Sequence, residues 1–432
     1  MIRPFHASVW FQLACAAALS CFVGLVSADE LDLSDLLGDE PEPEASKFVA
    51  HEWGSVNLVQ DSDRALISGL VDDQSDLPPF VNVWTENQGS QFPMIIEKPI
   101  LYFYSKEAVF ANVRVRCPEG ILTQWWPNAT KVTPVMPTDG ENQKMPELKN
   151  GILEWNWVAV SPNVAKPDFR QVGKHPWWGI ARETDSAVVR VKGGEEKFLF
   201  YRGAARLKSE LHVNIQSDTN ADTAEDKVDK ADKADKAGAT FSLDPATPDQ
   251  PVRHVFTMNV PEEGTPKIGY TKEVASSGAT PEPLDSVDAA VAILRSVLLD
   301  EGLYEKEADG MIKIWREGMF ETPGLRAMYL MERKTLDAFL PLTIQPAPDE
   351  IERVMLVRIE CLTPEREARI LELLKQLGAE NYRDRGSAQK KLMEVGRVGQ
   401  ALMRKFYDNT EDPEIRMRLK AVLKQISPRR PR

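Results

Sequence analysis

The sequence predicts an α+β chain with an antiparallel, β-sandwich-like N-terminal domain, a mixed α/β middle region and C-terminal helical hairpins. Three observations carry this. From Phe48 to about Val274 apolar residues recur with period two, and proline or glycine interrupts at short intervals. Near Leu284 the apolar period lengthens to that of a helix. After Thr363 the chain is a series of short amphipathic segments parted by Gly or Asp-Pro.

The first 28 residues read as a secretory signal. Arg3 precedes a long apolar run, and Val26-Ser27-Ala28 places small residues for cleavage after Ala28. Cys21 follows a poor lipoprotein sequence, Ala18-Leu19-Ser20, so lipidation is not expected. Residues 29–47 are acidic and proline-spaced, as in a disordered tether. No later run reaches the roughly 18 apolar residues of a membrane helix. The expectation is a soluble periplasmic or extracellular protein without a membrane span. Cys117 and Cys361 remain after cleavage; one bridge and two buried thiols both stay open.

Strand signals fill the β-rich domain, 48–274. In 109–117, Val113 and Val115 alternate with Arg114 and Arg116, the mark of a half-buried strand. "GILEWNWVAVSP" puts Leu153, Trp155, Trp157 and Ala159 on one face. "SAVVRVKGGEEKFLFYRG" reads as one hairpin turning through Gly193-Gly194. Residues 218–240 repeat an Asp-Lys-Ala unit without an apolar face, and are expected to form a disordered or weakly helical insertion at a hairpin tip.

The mixed region, 284–362, opens on a helix capped by Asp285 or Ser286 and stopped at Gly302. A second helix carries Ala308, Met311, Ile312 and Trp315 on one face, and further strands and a short helix follow. In 363–428, Thr363 caps a helix with Pro364 at its first position and Gly378 at its stop. These segments resemble HEAT-like helical hairpins and are expected to dock on the preceding region.

Charge is unevenly spread. From Thr363 onward 17 Lys/Arg face 10 Asp/Glu, a net +7, so the chain total of −13 puts about −20 on the rest. An acidic body with a basic tail argues against a nucleic-acid partner.

The blocks "HEWGS", "EKPILYFYS", "GILTQWWPNA", "ARETDSA", "EKFLFYRG" and "LPLTIQPAPDEIERVMLVRIECLTPE" together resemble an uncharacterised family of secreted bacterial proteins. They run from His51 to Glu365, with Ser55 where the family form has Thr. The resemblance implies domain boundaries and compartment, and no activity or cofactor.

No cofactor motif, nucleophile elbow or phosphate loop is present, and no histidine pair has metal-ligand spacing. The acid/base candidates are His51 and Glu52, joined by Glu183 and Asp185 of "ARETD". Adjacent strand residues point to opposite faces, so a regular strand keeps His51 and Glu52 apart, unless Gly54 introduces a bulge. The structural reading pairs Glu52 with Arg182 or Arg202 and buries Trp53.

Eight of ten tryptophans lie between Trp53 and Trp178. Trp125, Trp126, Trp177 and Trp178 sit beside prolines in loop-like settings suited to stacking on a sugar or a peptide, with Arg182 and Arg202 as polar contacts. The expected function is a secreted cell-envelope binding or structural protein that contacts a glycan or protein partner. The alternative is an envelope-polymer hydrolase using His51 or Glu52.

Overall fold

The computed structural model describes residues 47–68, 77–83, 92–135, 147–217, 239–261 and 263–426. The expected signal, the expected tether up to residue 46 and residues 218–238 of the expected insertion lie outside the described residues. Along the chain the strands are β1 (Val49–Gln60), β2 (Asn82–Val83), β3 (Met94–Tyr104), β4 (Val109–Cys117), β5 (Gly120–Trp126) and β6 (Lys131–Thr133). Then come β7 (Gly151–Ser161), β8 (Val188–Val191), β9 (Gly194–Glu196), β10 (Leu199–Ala205), β11 (Leu211–Ser217) and β12 (Ala239–Pro245). The last six are β13 (Val252–Val260), β14 (Lys267–Val274), β15 (Glu282–Leu284), β16 (Gly324–Leu330), β17 (Leu342–Gln345) and β18 (Glu350–Cys361). The helices are α1 (Pro176–Ala181), α2 (Val287–Asp300), α3 (Glu305–Arg316), α4 (Arg333–Phe339), α5 (Pro364–Gln376), α6 (Tyr382–Val395), α7 (Gln400–Asn409) and α8 (Pro413–Ile426).

Ten strands form one sheet in the order β15-β14-β13-β16-β18-β1-β3-β10-β5-β2, and β17-β4-β7-β8-β9 with β6 on β7 form a second. Among the described strands only β1 and β18 pair in parallel. One face of the large sheet meets the small sheet through a shared core that includes Leu58, Phe103, Trp155, Val189 and Val357. Its other face is covered by α1, α2 and α3 around Trp53, Tyr102, Trp178, Leu294 and Trp315. With apolar layers on both sides, β1 is buried along its length except at Asn57. A strand of this kind loses alternation, and each polar side chain on it needs a partner.

Three expectations change. The mixed region is not set apart from the β-rich domain, because β16 and β18 are inner strands of the large sheet, between β13 and β1. The expected single hairpin over 186–203 does not form. β8 turns back as the short β9, and the chain then crosses to the large sheet, where β10 pairs with β3 and β5. Trp157 does not share a face with Trp155. Val158 pairs with Ala111 and Trp155 with Val113, so Asn112 faces two residues and the alternation slips by one.

The helices begin where the sequence places their caps. Ser286 Oγ accepts the Ala289 N–H at 3.1 Å, and Thr363 Oγ1 accepts that of Arg366 at 3.2 Å. Helices α5 to α8 enclose their own core, which reaches the β body through Val59, Ile67 and Leu362. Deleting 363–432 should lower the melting temperature of the remainder yet leave one cooperative transition by calorimetry, since both large cores stay intact. Strands β11 and β12 pair from Leu211↔Pro245 out to Ser217↔Ala239, so the insertion joins the open end of a hairpin. Exchanging 218–238 for a short Gly-containing turn should shift the denaturation midpoint little, because loop closure depends weakly on length.

Candidate functional site

The opening strand holds the strongest acid/base candidates, and the sheet sends them to opposite sides. His51 lies with Trp53 toward the helices. Its Nδ1 is 2.7 Å from Glu307 Oε2, which also accepts the Tyr304 backbone N–H at 2.8 Å at the start of α3. The imidazole packs against the rings of Tyr104 and Tyr304, with centroids 5.3 and 4.4 Å away, and the two tyrosines also touch each other. Glu307 thus fixes the histidine tautomer and anchors the first turn of α3 on β1.

Glu52 points into the core between the sheets. Parallel pairing sets it beside Arg353, whose Nε donates to Oε2 at 2.7 Å while Tyr201 Oη donates to Oε1 at 2.7 Å. Burial pushes the Tyr201 phenol well above its ordinary range, so it stays protonated and donates. Arg353 also donates to Asp337 at 2.7 Å and to the Leu340 carbonyl at 2.8 Å. The expected arginine partner was right in kind and wrong in position: neither Arg182 nor Arg202 reaches Glu52. With both carboxylate oxygens engaged by protein donors, Glu52 is a structural ion pair, and it shares no reacting centre with His51.

The other candidates occupy separate places. Arg182 closes α1 and donates from Nε and Nη2 to the two oxygens of buried Glu196, at 2.8 and 2.7 Å, and Trp178 Nε1 donates to the same carboxylate at 2.9 Å. Glu183 and Asp185 are exposed and pair with Lys313 and Lys306 of α3. Arg202 is buried in the large sheet, 3.8 Å from Glu97, where the ladder shifts register. The absent hairpin is the reason that "ARETD" and "FLFYRG" do not converge.

All four tryptophans expected to bind ligand are buried. Trp125 belongs to the core between the sheets; Trp126, Trp177 and Trp178 belong to the helix-side core. Trp177-Trp178 are helical, since Pro176 takes the first position of α1 and turns their rings inward against Phe198 and Phe200.

Among the described residues the exposed indole is Trp157, with 75% of its surface accessible, and Phe110 is exposed at 63%. Both stand on the outer face of the small sheet, where Phe110 pairs with Ala159. The bulge holds Trp157 at φ +59°, a region bulky L-residues rarely adopt, and Asn112 Oδ1 accepts its backbone N–H at 2.9 Å. Strain of this kind costs about 1–3 kcal/mol and collects at functional positions. Beyond Asn112, β4 turns Arg114 and Arg116 to the same exposed side. The sequence signal for this site was "NWV" opposite "ANV", with asparagines where a regular ladder needs none.

Elsewhere, a cleft of about 840 Å³ lies between the β4–β5 turn, the segment after β10 and α4, and it carries Arg206, Arg253, Glu332 and Lys334 over Leu207 and Phe339. None of the candidates from the sequence lines it.

No family model matches the chain, and no curated protein does. Among solved structures it is similar to the Fcho1 Mu homology domain of Danio rerio with bound Eps15 peptide, at 5% identity and TM-score 0.28, over 73% of this chain and 97% of that one. It is also similar to the yeast delta-COP-I mu-homology domain complexed with Dsl1 WxWxV peptide, at 8% identity and TM-score 0.21, over 74% and 98% of the two chains. For the yeast delta-COP-I mu-homology domain alone the values are 9% and 0.22, over 75% and 98%. At these scores the architecture rests on the chain's own sheets.

Proposed function

We propose that this is a secreted cell-envelope binding protein that contacts a glycan through the outer face of the small sheet, with Trp157 and Phe110 as the stacking surface. The observation that carries the reading is the indole held out of the sheet at an unfavourable φ by Asn112. An exposed aromatic pair of this kind offers flat apolar area beside hydrogen-bonding amides, which suits a sugar ring. The dispersal of His51, Glu52, Glu183 and Asp185 supports binding over hydrolysis.

Trp157→Gly removes the indole and fits the backbone at +59°. The variant should melt at or above the wild-type temperature and be retained at least tenfold more weakly on immobilised envelope polysaccharide. Wild-type retention by the variant ends this reading. Retention of the wild type on envelope protein and not on polysaccharide moves the partner to a protein.

A further inference from the structure

We infer that the glycan taken by this face is anionic, its carboxylate or phosphate groups meeting a cationic strip that continues from the aromatic pair along β4. The inference rests on the binding reading above and goes beyond it by naming the ligand's charge.

Phe110, Asn112, Arg114 and Arg116 alternate with buried Ala111, Val113, Val115 and Cys117, so all four point outward in one row. At about 3.3 Å per residue the row runs roughly 20 Å, the span of several sugar units. Arg114 lies 2.8 Å from Glu154, and Lys131 of β6 approaches the same carboxylate at 3.8 Å. Register then sets Arg116 opposite Ile152, next along β7 on this face, without a carboxylate. Two cations therefore share one anion, and Arg116 adds a third positive charge two positions further along β4. The strip is positive within a chain whose net charge is −13, and that contrast selects an anionic occupant over a neutral one. The aromatic end distinguishes a glycan from a plain polyanion, since a stacking ring adds nothing for a chain without sugar faces.

The test uses the full protein with three soluble polymers: polygalacturonate, neutral dextran and inorganic polyphosphate. Polygalacturonate should bind at least tenfold more tightly than either of the others, and the affinity should fall as salt rises from about 50 mM to about 500 mM. The double variant Arg116→Gln/Lys131→Gln leaves Glu154 its Arg114 partner and should keep the wild-type melting temperature while losing at least tenfold for polygalacturonate. Trp157→Gly should lose as much. Equal binding of dextran and polygalacturonate, both lost in Trp157→Gly, overturns the anionic assignment and leaves the binding reading standing. Polyphosphate binding that matches polygalacturonate and ignores Trp157→Gly overturns both, as does no binding of any of the three.

Discussion

Glu52→Gln is expected to destabilise the folded body by about 3–5 kcal/mol, the cost of leaving a buried charge without its partner. The charge left behind is Arg353, which is buried, and among the described residues Asp337 then remains to balance it. Urea denaturation of wild type and variant measures the loss. A Glu52→Gln/Arg353→Met pair should recover part of it, because replacing both ions is far cheaper than removing one. A variant that melts with the wild type and yet loses a polymer-degrading activity would make "HEWGS" a catalytic strand and overturn the structural assignment.

Trp53→Ala is expected to cost a similar 3–5 kcal/mol. The indole is fully buried, edge-on to Trp315 at 5.5 Å and tilted against Tyr102 at 5.9 Å, so truncation opens a void between sheet and helices. Among the described residues its Nε1 has no hydrogen-bond partner. Trp53→Phe should therefore cost clearly less than Trp53→Ala, since phenylalanine fills much of the space and removes a buried N–H that nothing accepts. Equal losses for the two variants would mean that packing at this position is governed by something other than volume.

Local chemistry was legible in the sequence; long-range pairing was not. Helix caps at Ser286 and Thr363 are decided by neighbours three residues away, and the structure places both as expected. The bulge allowed for at Gly54 falls instead on β3, where Lys98 and Pro99 both oppose Gly54 and a Cβ on it would meet Pro99 Cα at 2.9 Å, while β1 keeps its register with β18; the glycine was readable, the bulged strand was not. The partner of Glu52 was not, since parallel pairing with β18 depends on which strand arrives beside β1, and periodicity carries no information on that. The tryptophans misled for another reason. A Trp-Trp pair beside proline looks the same whether a helix turns it inward or a loop turns it outward. Trp157 was hidden by a one-residue slip that strict alternation cannot see. Cys117 and Cys361 are both free and buried, and burial pushes both thiols far above their ordinary range, which leaves them protonated and unreactive.

The parallel seam between β1 and β18 also sets a timetable. Glu52 and Arg353 are 301 positions apart, so the folded body's first strand meets its innermost neighbour only when nearly all of that body exists. Until residue 361 is present, β1 has β3 on one side and an open edge on the other. Contacts of such separation make folding slow and leave sticky intermediates exposed while the chain waits. Shortened products ending before β18 should then be insoluble, whereas those ending just after it should fold, and the sharpness of that boundary in a nested set of C-terminal truncations measures how strictly the last strand completes the first.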